Sequence, residues 1–201
     1  MRTRFLRALR AFVRCGALGL VVFLGPSLAA VERPFGDREL RAFVVSGQSF
    51  HPEGQGFAEI GSPVVQWGRF LSRRLEALVE LHPLILVNQP KTPPYGERET
   101  VEAFAADVGL RWYFGSEHWR PKPYLEILEG PFYALRRVPA RGSTFNFLTQ
   151  MGGGIRLPFG ERWHPFVAYR WVHISNAGTG MHNPDWDFHG LLIGGSLVLA
   201  D

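Results

Sequence analysis

Cysteine is nearly missing from this chain: of 201 residues only one is Cys, at position 15. A single thiol cannot close an internal disulfide, and no second cysteine is there to build a zinc site of the finger or ribbon kind. Long apolar runs are missing as well. The longest, from about Gly16 to Gly25, falls well short of the roughly 20 residues that a helix needs to cross a bilayer, which excludes a helical membrane protein.

An excess of one charge is confined to the beginning. Arg2, Arg4, Arg7, Arg10 and Arg14 precede the apolar run, no acid occurs in the first thirty residues, and Pro26-Ser27-Leu28-Ala29-Ala30 follows with small side chains. This is the layout of a secretory signal peptide, with cleavage expected after Ala29 or Ala30. Residues 1–30 are therefore expected to be the export signal, and 31–201 a single domain. Setting those five Arg aside leaves 17 basic against 18 acidic residues, so no nucleic-acid footprint remains in the mature chain. Cys15 leaves with the signal.

What the chain has in quantity is apolar and aromatic material, 46% hydrophobic with 16 Phe and 6 Trp, enough for a core or a membrane-facing belt. Its distribution follows a period of two. From Ser143 to Leu157, Phe145, Phe147, Met151, Ile155 and Leu157 fall on one face, against Asn146, Gln150 and Arg156 on the other. From Val101 to Phe114, Phe104, Val108, Leu110 and Trp112 oppose Asp107 and Arg111; from Leu75 to Val87, Leu75, Ala77, Val79, Leu81, Ile85 and Val87 oppose Glu76, Glu80 and His82.

Eight such segments are expected: Leu40 to Ser49, Phe57 to Phe70, Leu75 to Val87, Val101 to Phe114, Lys122 to Tyr133, Ser143 to Leu157, Trp163 to Ser175 and Asp187 to Leu199. Pro123 and Pro131 suggest a bulge in the fifth. Asn88 to Thr100, with Pro90, Pro93 and Pro94, reads as the longest loop. An even count of strands about ten residues long suits an all-β, eight-stranded antiparallel up-and-down barrel with a polar interior and an apolar outside. A soluble sheet would reverse the two faces, and periodicity does not separate the cases.

One segment carries chemistry. In Tyr169-Arg170-Trp171-Val172-His173-Ile174-Ser175-Asn176-Ala177-Gly178 an imidazole and a hydroxyl lie two residues apart in a strand, so both project from one face. There the imidazole can take the hydroxyl proton while the oxygen attacks a carbonyl carbon. Parity puts the pair on the apolar row with Val167, Tyr169 and Trp171, which is the outside of the barrel if apolar rows face lipid. Asp187 and His189 are in phase with Leu191, Ile193 and Leu197, again the outer row. The small residues after Ser175 either bring backbone donors close to an oxyanion or form an ordinary turn at a strand end.

Together with Asn183-Pro184-Asp185-Trp186-Asp187, Phe145-Asn146-Phe147 and Gln150-Met151-Gly152-Gly153-Gly154, this segment resembles the lipid A 3-O-deacylases (PagL-type), an outer-membrane β-barrel family. The resemblance runs from about Pro123 onward. It implies a serine esterase acting on lipid A of lipopolysaccharide in the outer membrane, with Ser175 as nucleophile, His173 as base and Asp187 as the acid that orients the base. Asn176, Ala177 and Gly178 are then the oxyanion and substrate-binding candidates. Family members carry Glu at the acid's place, and Asp is shorter by one methylene, about 1.5 Å of reach; Asp185 competes for the role.

No cofactor is implied. His164, His173, His182 and His189 show no recognised ligand spacing, so no metal is expected. A non-enzymatic outer-membrane pore or structural barrel and a soluble periplasmic lipid-binding barrel are the alternatives. Dimerisation is left open.

Overall fold

The computed structural model describes residues 37–49, 56–92, 96–116, 119–157, 159, 162–180 and 182–199; the expected signal peptide and Cys15 lie outside them. Eight strands follow one another: β1 Arg38–Ser49, β2 Glu59–Phe70, β3 Leu75–Pro90, β4 Arg98–Tyr113, β5 Lys122–Val138, β6 Ser143–Arg156, β7 Trp163–Ser175 and β8 Trp186–Leu199. Each pairs antiparallel with the next, and β8 returns to β1, where Arg38 faces Leu199 and Ser49 faces Phe188. The sheet closes on itself. Closure pairs the backbone groups of what would otherwise be two edge strands.

Alternation in the sequence becomes alternation across the barrel wall. Val79, Phe104, Val108, Leu110, Ile127 and Ile193 stand exposed on the outside, while Glu76, Glu80, Asp107, Arg111, Glu126 and Arg170 are buried within. A buried charge is costly unless it is paired, and these are paired. Arg170 donates to Glu80 Oε1 at 2.6 Å and Oε2 at 3.2 Å, to Glu126 Oε1 at 2.7 and 3.1 Å, and to Gln150 Oε1 at 2.9 Å. Arg111 donates to Glu126 Oε2 at 2.6 and 3.0 Å and to Gln66 Oε1 at 2.9 Å. Arg41 bridges Glu39 and Glu76.

Above this network, at the end where β7 finishes, the interior turns apolar. Ala58, Ile60, Ile85, Val87, Phe132 and Trp186 belong to one buried cluster there. Two of these overturn the sequence expectation, which set Ile85 and Val87 on the outer face with Leu81. A bulge between His82 and Ile85 in the β3–β4 pairing adds one residue to β3, and because side chains alternate, that single residue reverses every position after it. Ile85 and Val87 are fully buried in consequence.

Two further expectations shift. Irregularity in β5 is a register shift against β6 between Tyr133 and Val138, together with a lapse of the β4 pairing at Gly130 and Pro131, while the pairing with β6 runs unbroken through Pro123 and Pro131. Proline has no N–H to donate, which accounts for the lapse on the β4 side. The proline-rich loop is shorter than expected, since β3 continues to Pro90, paired with Arg98 of β4.

Candidate functional site

β7 ends at Ser175, beside β8 on one side and β6 on the other. His173 and Ser175 lie on its outer face, with His173 paired directly across from Asp187 of β8 and Ser175 across from Phe147 of β6. Directly paired residues bring their Cβ atoms within about 5 Å, which supplies the reach that a short carboxylate lacks. His173 Nδ1 lies 2.8 Å from Asp187 Oδ1, and Nε2 lies 2.9 Å from Ser175 Oγ. The structure thus brings together all three residues singled out from the sequence, in one hydrogen-bonded series on the barrel's outer wall.

The direction of that series follows from the acceptor at its end. An ionised carboxylate only accepts, so the His173 proton sits on Nδ1, and Nε2 presents a lone pair to the Ser175 hydroxyl. Ser175 is 8% exposed, whereas the side chains of His173 and Asp187 are 23% and 32% exposed. Ser175 is therefore the most covered residue of the three, and the acid the most open. Stacked on the imidazole from below is the indole of Trp171, ring centroids 5.5 Å apart and planes 25° apart.

Beyond Ser175 the chain turns sharply. Ala177 has φ of 52° and Gly178 a φ of 75°, left-handed geometry that glycine adopts freely and alanine at a cost of order 1 kcal/mol. Asn176, fully buried, organises the turn. Its Nδ2 donates to the His182 carbonyl at 2.8 Å, its Oδ1 accepts the Gly178 N–H at 3.0 Å, and its own N–H donates to Asn183 Oδ1 at 3.1 Å.

Of the expected oxyanion group, then, Gly178 has committed its N–H to the loop, and Asn176 its backbone N–H and one of its two Nδ2 hydrogens. Among the described residues the Ala177 N–H has no hydrogen-bond partner. Asn183, quoted in the sequence motif without a role, is the residue that anchors the turn. A cross-loop contact of this kind leaves no periodic signal in a sequence.

Two groups of His and carboxylate side chains have ligand atoms within 4.8 Å of one another: Glu80 with His82 and Asp107 inside the barrel, and His173 with Asp185 and Asp187 outside it. In the inner group the central position is taken by Gln150 Nε2, which lies 3.2 Å from Glu80 Oε1, 3.2 Å from Asp107 Oδ2 and 3.3 Å from His82 Nε2. The Arg170 guanidinium supplies positive charge beside it. In the outer group both imidazole nitrogens already face Asp187 and Ser175. Asp185 stands near them, within reach of the ring, but it is Asp187 that the ladder pairs with His173.

Comparison with known proteins adds a family. The profile described as "Lipid A 3-O-deacylase (PagL)" matches residues 76–196, from the start of β3 to near the end of β8, a longer span than the sequence resemblance had covered. No curated protein sequence matches the chain. Two solved structures share the fold. The outer membrane protein OprG from Pseudomonas aeruginosa aligns with a TM-score of 0.56 at 9% identity, over 84% of this chain and 98% of its own. Neisserial surface protein A aligns with a TM-score of 0.57 at 16% identity, over 80% of this chain and 96% of its own.

Proposed function

Since the chain belongs to the lipid A 3-O-deacylase (PagL) family, we propose that it is an outer-membrane serine esterase: Ser175, His173 and Asp187 hydrolyse an ester-linked 3-hydroxyacyl chain of lipid A at the lipid-facing wall of the barrel. The observation that carries this reading is the hydrogen-bonded run from Asp187 through His173 to Ser175. Residues 1–30 direct its export.

In the first step His173 Nε2 takes the proton of Ser175 as Oγ attacks the ester carbonyl carbon. The His173 imidazolium, held by Asp187, then gives that proton to the departing sugar oxygen, leaving an acyl group on Ser175. Water repeats the sequence: Nε2 takes its proton, its oxygen attacks the acyl carbon, and Ser175 regains a proton as the free fatty acid departs. Negative charge on the carbonyl oxygen meets the Ala177 N–H, which the turn of Asn176 and Gly178 holds close to Ser175.

A membrane lipid is a fitting substrate for a nucleophile on the outer wall. β7 runs 13 residues from Trp163 to Ser175, about 40 Å of strand at about 3.3 Å per step. Tilted by about 40°, that spans about 30 Å of bilayer, a full hydrocarbon thickness. With exposed Trp163, Trp112 and Trp119 marking one boundary, Ser175 comes to lie at the other. There an ester between acyl chain and sugar meets water. A soluble barrel with an internal lipid is disfavoured by the charged network that fills the interior and by the apolar rows turned outward.

Mass spectrometry of lipid A from cells expressing the parent chain or Ser175→Ala tests the reading. Loss of one 3-hydroxyacyl group with the parent alone is expected. Equal loss with both variants, or none with either, would overturn it.

A further inference from the structure

Along the outer face of β7, Tyr169, Trp171 and His173 occupy successive outward positions. Such neighbours are about 6.6 Å apart along a strand and ordinarily stand side by side. Here the Trp171 and His173 rings lean together, to 5.5 Å between centroids with their planes 25° apart. Below them Tyr169 stacks on His189 of β8, at 6.0 Å and 26°. Two stacked pairs of rings therefore lie along the wall, and His173 belongs to the upper one.

That contact bears on the one freedom the hydrogen bonds leave weak. Rotation of an imidazole about its last torsion is broad, and on an outer wall no packed core closes around the ring. A swing of the ring would break the alignment of Nδ1 with Asp187 and of Nε2 with Ser175 at once. The indole, 25° from parallel with the imidazole and packed beside it, resists that swing. It also offers its electron-rich face to the cation that forms when Nε2 accepts a proton, and an indole is the best aromatic partner for a cation.

We propose that Trp171 is a positioning residue of the hydrolytic site, holding the His173 ring in the plane that joins Asp187 to Ser175 and favouring the imidazolium formed during acyl transfer. This rests on the reading of Ser175, His173 and Asp187 given above. Trp171 touches no reacting atom; it acts through His173.

The test uses the full refolded chain in detergent with lipid A in mixed micelles, measuring kcat and KM for the parent, Trp171→Leu, Trp171→Phe and Ser175→Ala. Folding of each is checked by heat-dependent migration in a detergent gel, and Trp171→Met replaces Trp171→Leu if the latter does not fold. Loss of the flat ring is expected to lower kcat about tenfold with KM within about twofold, and Trp171→Phe, which keeps a flat ring, to recover most of the loss.

A kcat equal to that of the parent in Trp171→Leu, a loss confined to KM, or a Trp171→Phe variant no better than Trp171→Leu would each overturn the role of Trp171. An active Ser175→Ala would instead overturn the catalytic reading beneath it, so the two failures are told apart.

Discussion

Asp187 stands directly opposite His173 across the β7–β8 ladder, and its Oδ1 lies 2.8 Å from the imidazole Nδ1. Strand pairing, rather than side-chain length, makes that contact. Asp187→Asn should therefore leave the barrel intact yet lower kcat by roughly a thousandfold, because an amide can hold the ring with the wrong nitrogen protonated. Asp185→Asn, at a position the ladder does not pair with His173, should change kcat by less than about threefold. Steady-state deacylation rates of the two purified variants make the comparison. Equal losses would transfer the orienting role to both acids.

Inside the barrel, Arg170 makes five hydrogen bonds to Glu80, Glu126 and Gln150. Replacing it with Met leaves buried Glu80 without a guanidinium and Glu126 with that of Arg111 alone, which should destabilise the fold by about 3–5 kcal/mol. Adding Glu80→Gln to Arg170→Met should restore part of that loss, since a neutral amide costs less to bury. Urea titration in detergent, followed by tryptophan fluorescence, reads both effects. A double variant weaker than Arg170→Met would contradict the charge argument.

The bulge in β3 predicts unequal costs for two similar truncations. Ile85→Ala opens space in the apolar cluster beneath the site and should cost about 2–4 kcal/mol. Leu81→Ala, on the exposed outer row, should cost less than about 1 kcal/mol. The same unfolding measurement distinguishes them, and equal costs would mean that the face reversal after His82 is absent.

Ile193 is half exposed near the middle of β8, where the wall meets the centre of the bilayer. Ile193→Arg should destabilise the chain by about 2–4 kcal/mol in lipid vesicles. In a micelle, whose surface deforms around a charge, the penalty should shrink. A variant as stable as the parent in vesicles would place this row away from lipid.

Much of this architecture was written in the sequence. Phe145, Phe147, Met151 and Ile155 against Asn146, Gln150 and Arg156 announce a strand with two unlike faces, and the structure keeps that division. Such information is local: a side chain's face depends only on its distance along the strand from its neighbours. His173 and Ser175 share a face for the same reason, and their spacing was legible before any fold was known.

What required the closed barrel was everything set by one strand's position against another. Which acid stands across from His173 depends on the register between β7 and β8, and register is chosen by the whole ladder together with the turn that joins the strands. The reversal of Ile85 and Val87 depends on a bulge that no alternation of residues announces. The stacking of Trp171 on His173, and the loop held by Asn176 and Asn183, are contacts of side-chain orientation. Sequence determined the faces because alternation is a property of a single strand; tertiary structure decided the partners because pairing, bulging and stacking are properties of strands in contact.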